Sequence, residues 1–184
     1  MTVRLRKNET LFLMIDIQER LLPSIQNPDA IVQNGVRLLK AAEALSLPVV
    51  WTEQYPKGIG PTAAPLKENL PASAIRFEKL HFSCCDEPGF TEKLRELNRP
   101  TVVIFGTETH VCVLSTTLDL IRSEGYGVVF VADASGSRTR ENHNLALDAA
   151  RSLGALVLPT ETVIYQLLER SGTAEFKGLL PLFK

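Results

Sequence analysis

TVVIFGTETHVC, residues 101–112, holds the plan of the chain in miniature. Thr101 to Phe105 form an unbroken β-branched and apolar run, the mark of a strand covered on both faces. Gly106 ends the run, and from Gly106 to His110 the chain turns into a helix that reaches about Ser123 and stops at Gly125. A buried strand leading into a helix is the repeating unit of a parallel α/β sheet.

The same alternation continues on both sides. Upstream, Thr10 to Ile15 (TLFLMI) reads as a buried strand, followed by a loop with Pro23 and a helix from about Asp29 to Leu45. Asn27 and Pro28 suit the N-cap and first turn of that helix. Pro48 to Thr52 (PVVWT) is a second strand, and Ala74 to Phe77 a third. Between these two, Pro56, Gly58, Gly60, Pro61 and Pro65 speak against regular structure, and a connection of that length is usually functional. Glu87 to Leu97 is a helix with Phe90, Leu94 and Leu97 on one face. Downstream come a strand at Gly127 to Ala132, a helix from Arg140 to Leu153, a strand at Ala155 to Leu158, and a helix over Glu161 to Glu169 with Gly172 behind it. With no internal repeat and no linker, residues 1–184 read as one domain, a mostly parallel sheet with helices on both faces.

Composition narrows the function classes. Lys plus Arg number 20 and Asp plus Glu 21, and no basic run exceeds Arg6-Lys7, which disfavours nucleic acid and anionic membrane as partners. Leu11 to Ile15 is too short for a signal segment, and no window has the roughly 18 apolar residues of a membrane span, so a cytoplasmic location is expected. Cys84, Cys85 and Cys112 lack the spacing of a disulfide framework or a zinc site.

In open α/β sheets the ligand crevice lies outside the carboxyl ends of the strands. Those ends carry Asp16 and Gln18, then Glu53 to Tyr55, then Glu78 and Lys79, then the run to Cys112, and finally Asp133 to Ser135. Cys112 opens a helix, where free N–H groups favour a thiolate and could hold an oxyanion. Alternatively it is a small core residue between Val111 and Val113. Asp16 emerges from a buried strand, a placement that raises its basicity and suits it to take a thiol proton; the plain alternative is a loop Asp bonded to backbone. Lys79 would supply the counter-charge for both. His110 permits a Cys/His dyad, although a residue two positions before Cys112 points elsewhere on the turn. Cys84 and Cys85 could line the pocket or oxidise, but suit packing better. Gln18, Trp51, Tyr55, Phe77 and Phe82 could wall a substrate pocket, and Arg138, Arg140 and His143 could meet an anion. No dinucleotide or P-loop glycine pattern follows any strand. Nor does the sequence carry a second carboxylate two residues after Asp16, a cysteine-phosphatase arginine, or a Gly-x-Cys-x-Gly elbow.

Taken together, Asp-x-Gln after strand one, Lys after strand three and G-T-E-T-H-V-C-V opening a helix resemble the isochorismatase-like cysteine hydrolase superfamily. The resemblance spans essentially the whole chain, and TEQYPKGIG, residues 52–60, is similar to its isochorismatase domain-containing branch. It implies a three-layer sandwich around a six-stranded parallel sheet of order 3-2-1-4-5-6, with Asp16, Lys79 and Cys112 as the catalytic triad. It further implies a cis peptide at Thr107-Glu108 and an oxyanion hole from the Glu108 and Cys112 N–H groups. The reaction so implied is attack of the Cys112 thiolate on a small amide, then hydrolysis of a thioester, with no cofactor. The histidine-rich metal site of the superfamily's nicotinamidases is missing after strand two, where Glu53-Gln54-Tyr55-Pro56-Lys57 stand, so no metal is expected. Members that cleave the vinyl ether of isochorismate do not depend on a cysteine nucleophile, and Cys112 directs the expectation to C–N hydrolysis. The alternatives are vinyl-ether hydrolysis of an isochorismate-like compound, and a non-catalytic binding or scaffold protein on the same fold. Homo-oligomers are common in the superfamily, and the apolar tail from Gly178 to Phe183 suits either a subunit contact or packing on its own chain.

Overall fold

Six strands and eight helices follow one another in a computed structural model that describes residues 4–184. The strands are β1 (Thr10–Ile15), β2 (Val49–Gln54), β3 (Ile75–Lys79), β4 (Thr101–Gly106), β5 (Gly127–Val131) and β6 (Leu156–Leu158). They pair in parallel in the order β3-β2-β1-β4-β5-β6. The chain leaves the centre in one direction from β1 and in the other from β4, so the crevice of an open sheet falls at the carboxyl ends of these two neighbours.

Alternation of side chains along each strand builds two cores. Phe12, Met14, Trp51, Val103, Phe105, Val129 and Val131 pack towards α1 (Pro28–Leu45), with α7 (Thr160–Leu168) and α8 (Ala174–Leu179). Leu11, Leu13, Ile15, Val102, Ile104, Val128 and Phe130 pack towards α4 (Phe90–Glu96), α5 (Leu114–Arg122) and α6 (Arg140–Ser152). Each such side chain contributes about 1.5–3 kcal/mol on burial, which is why unbroken apolar runs become the central strands. Gly106 lets β4 lie close beside β1: a Cβ there would sit 2.1 Å from the Ile15 carbonyl oxygen.

Several boundaries differ from those the sequence suggests. β2 continues to Gln54 and β3 to Lys79, pairing Glu53 with Glu78 and Gln54 with Lys79. Ladder hydrogen bonds are made by backbone and tolerate the polar side chains at these ends. The connection after β2 is not wholly irregular: it holds the single turns α2 (Pro56–Ile59) and α3 (Ala64–Lys67). Prolines in the first turn start these helices rather than forbid them. α4 starts only at Phe90, because Gly89 caps it in the left-handed region with φ of 81°. Asn27 precedes α1 as expected, but with left-handed backbone and no capping bond from its side chain.

No peptide bond among the described residues is cis, so Thr107-Glu108 is trans, contrary to expectation. The chain reverses there by a different device: Glu108 takes φ of 55° and ψ of 57°, while Thr109 N donates to Gly136 O and Gly136 N to Gly106 O. The C-terminal tail packs on its own chain, with Leu182 and Phe183 against the first core and the Phe183 ring 5.7 Å from that of Tyr165. Among the described residues no helix is long and apolar enough to cross a membrane.

Candidate active site

β1 delivers the first group. The chain leaves the sheet at Asp16 with φ of 52°, which keeps the carboxylate at the strand mouth, only 1% exposed. Ile15 is paired with Thr52, and the Thr52 hydroxyl donates to Asp16 Oδ1 at 2.6 Å. Asp16 Oδ2 lies 2.7 Å from Lys79 Nζ but off the hydrogen-bond direction, which leaves a lone pair for another donor.

β3 delivers the second group from its last residue. The Lys79 side chain is wholly buried and donates to Gln54 Oε1 at 2.6 Å and to the His81 carbonyl at 3.2 Å, with the Phe82 carbonyl at 3.5 Å. Burial is the largest single influence and opposes its charge, but the Asp16 carboxylate together with the neighbouring Cys84 and Cys112 holds the ammonium above its ordinary range.

The third group follows β4. Cys112 lies in a π-helical stretch, Thr109–Val113, that runs into α5, with Val113 N reaching back to Glu108 O. Such wide turns recur at functional sites. The thiol is buried and feels the charges of both Asp16 and Lys79. Burial, followed by the Asp16 charge, pushes Cys112 up to about 12, although Lys79 pulls it down. The expectation that the helix start favours a resting thiolate is therefore corrected: desolvation prevails and the group rests as a thiol. Asp16 and Lys79 thus meet in a buried ion pair, and the buried Cys112 side chain feels both charges.

Cys84 adjoins this cluster. It is fully buried in the same core as Cys112, its N–H donates to Thr116 Oγ1, and that hydroxyl donates to Cys112 O. Burial pushes both Cys84 and Cys85 up to about 12, in keeping with packing roles.

The other expected pocket residues divide. Gln18 does not face a pocket: it is fully buried, donates to the Gln54 and Gly60 carbonyls, and accepts from Gln54 N, so backbone consumes its amide. Trp51 lies in the core on the opposite sheet face from Cys112, stacked under Arg76, because it alternates with Val50 and faces α1. Phe77 packs edge-on against Phe90. Tyr55 and Phe82 are exposed, and Tyr55 borders a cavity of about 260 Å³ that reaches Lys79 and Leu80. His110 Nδ1 is 2.9 Å from Ser137 Oγ and 3.5 Å from Glu108 Oε2, which occupies it away from a Cys112 dyad. Arg138 is tied to Glu108, burial pushes His143 down as it meets Thr109, and Arg140 is exposed, so the three do not assemble an anion site. No group of three or more His, Cys, Asp or Glu among the described residues could hold a metal.

Sequence reasoning did not single out Thr52 or assign a role to Gln54. The signal was strand parity: residues 52 and 54 share the face turned towards the carboxyl-end crevice once β2 is extended by two residues.

Residues 10–162 match the isochorismatase domain family. Isochorismatase domain-containing protein 1 of Salmo salar is 37% identical over 95% of this chain, which spans 61% of that protein's length. Isochorismatase family protein 1A of Dictyostelium discoideum is 34% identical over 97% of this chain and 87% of its own. Among solved structures, the MAR1 ribonuclease of Caenorhabditis elegans superposes with a TM-score of 0.93 at 34% identity, covering 98% of this chain and 92% of that one. The YcaC gene product of Escherichia coli, described as an octameric hydrolase of unknown specificity, gives 0.92 at 27% identity over 99% and 91%.

Proposed function

The chain belongs to the isochorismatase family, and we propose that within it the protein is a cysteine hydrolase that opens the C–N bond of a small amide or related substrate. The observation that carries this reading is the buried contact of Asp16 with Lys79 at 2.7 Å beside the Cys112 thiol.

A thiol pushed up to about 12 must lose its proton as it attacks. Asp16 accepts that proton while sulfur bonds to the acyl carbon, and Lys79 offsets the charge that moves between them. The carbonyl electrons pass to oxygen, and the Glu108 and Cys112 N–H groups receive the oxyanion; one such donor is commonly worth about 3–4 kcal/mol of barrier. Collapse expels the amine, which takes the proton from Asp16 and leaves an acyl thioester on Cys112. Water, deprotonated by Asp16, attacks the thioester; the C–S bond breaks, the carboxylic acid leaves, and Asp16 returns the proton to sulfur to restore the thiol.

Two further features support a small substrate. The N–H groups of Lys79 are taken up by Gln54 and backbone carbonyls and its charge is paired with Asp16, an arrangement unsuited to gripping a phosphate chain. Acidic and basic residues nearly cancel, 21 against 20, which favours small amides over RNA, the substrate class suggested by the worm relative. Three free cysteines fit a reducing, cytoplasmic setting, and the octameric bacterial relative supports a homo-oligomer. Ammonia release over a panel of small amides and ureido compounds tests the reading, with vinyl ethers and an RNA oligonucleotide as controls. Amide turnover that Cys112→Ala abolishes while its thermal unfolding stays cooperative is the expected result. Activity confined to vinyl ethers or RNA, or undiminished in Cys112→Ala, refutes it.

A further inference from the structure

Lys79 presents its ammonium to more acceptors than it has N–H groups: Asp16 Oδ2, Gln54 Oε1, His81 O and Phe82 O. Three of these are fixed by the fold or carry the chemistry. Gln54 is the remaining acceptor, a neutral side chain that ties the ammonium to the backbone of the following loop. Its amide has one orientation that satisfies both neighbours, because Lys79 Nζ can only donate and the Leu80 carbonyl, which Gln54 Nε2 meets at 2.8 Å, can only accept. Its backbone is clamped in turn: Gln18 Oε1 accepts from Gln54 N at 2.8 Å, and Gln18 Nε2 donates to Gln54 O at 3.1 Å. A line of hydrogen bonds thus runs from buried Gln18 through Gln54 to Lys79, and the ion pair carries it on to Asp16.

We propose that Gln54 is a positioning residue for this site: its neutral amide, anchored by Gln18, holds the Lys79 ammonium between the Asp16 carboxylate and the Cys112 thiol. The proposal rests on the reading of these three groups as the reacting set. A neutral acceptor directs the lysine without adding a negative charge, which would raise the thiol further. An isosteric apolar side chain frees the ammonium to turn away, and a carboxylate holds it but burdens the thiol.

Two readouts on the full chain test this. The first is the ¹H–¹⁵N signal of the Lys79 ammonium, assigned by its loss in Lys79→Met; the second is the rate of Cys112 alkylation by iodoacetamide as a function of pH. Gln54→Met is expected to lose the ammonium signal through solvent exchange and to slow alkylation about tenfold or more near pH 8. Gln54→Glu is expected to keep the signal while its alkylation profile moves to higher pH. If Gln54→Met does not fold, Gln54→Ala takes its place. A Gln54→Met or Gln54→Ala protein with the wild-type signal overturns the proposal, as does loss of the signal with unchanged alkylation. Failure of the hydrolase reading is separate, since it appears as amide turnover in Cys112→Ala, whereas failure here appears in the Gln54 variants with Cys112 intact.

Discussion

Cys112 is buried beside a carboxylate and an ammonium, and its proton is held tightly, with the thiol pushed up to about 12. Desolvation is the largest influence on the thiol, the Asp16 charge adds to it, and the Lys79 charge opposes both without cancelling them. The rate of Cys112 alkylation by iodoacetamide should therefore climb about tenfold per pH unit past the ordinary thiol value of 9.0 without levelling. A plateau near that value would mean a solvated, unperturbed thiol. The burial of Asp16 and Lys79 side by side was legible in the sequence because each stands at a strand end, while Cys112 was placed by the turn and helix start that follow β4. Their protonation was not, since it depends on how completely the neighbouring loops exclude water. The same limit applies to Gln18, whose motif position suggests a ligand contact although its amide is spent on the Gln54 and Gly60 backbone.

β1 and β4 were readable to within a residue because a short, β-branched, continuously apolar run bounded by turn signals suits a strand covered on both faces. The ends of β2 and β3 were not, since Glu53, Gln54, Glu78 and Lys79 carry no apolar signal and join the ladder through backbone alone. Their inclusion matters for function: pairing Gln54 with Lys79 sets the lysine beside its neutral acceptor. Trp51 faced the wrong way for a pocket by strand parity, a one-residue question that periodicity over so short a run leaves open. The turn from Gly106 to Cys112 departs most from expectation, being built on a trans peptide and a left-handed Glu108. Its first residue is the sensitive one. With φ of 152° and no room before the Ile15 carbonyl, Gly106→Ala should lower unfolding free energy by about 2–4 kcal/mol in urea titration, whereas Gly125→Ala meets no neighbour and should cost less.

Across the whole molecule, the buried site makes folding sensitive to alkali. Cys84, Cys85 and Cys112 are pushed up to about 12 from 9.0, and Lys79 is raised from 10.5, so each binds its proton more tightly when folded. Groups raised in this way give stability that is complete below their unfolded values and is lost as pH rises towards the folded ones. Urea stability should therefore hold steady from neutral pH to about 9, then fall steadily towards 12, and Cys84→Ala should flatten part of that fall. A stability profile level through this range would contradict the burial ascribed to these groups. The arrangement is consistent as a whole: a parallel sheet whose connections lead outward in opposite directions from β1 and β4 leaves Asp16, Lys79 and Cys112 buried, and that burial accounts for the pH response of the lysine and the thiol.

Intact-mass measurement of the enzyme, quenched in acid while it turns over its best amide and followed by peptide mapping, reaches the central claim most directly. The expected result is an acyl group in thioester linkage on Cys112, absent from Asp16→Asn. Continued turnover with Cys112 unmodified throughout, and an equal rate in Cys112→Ala, would contradict it.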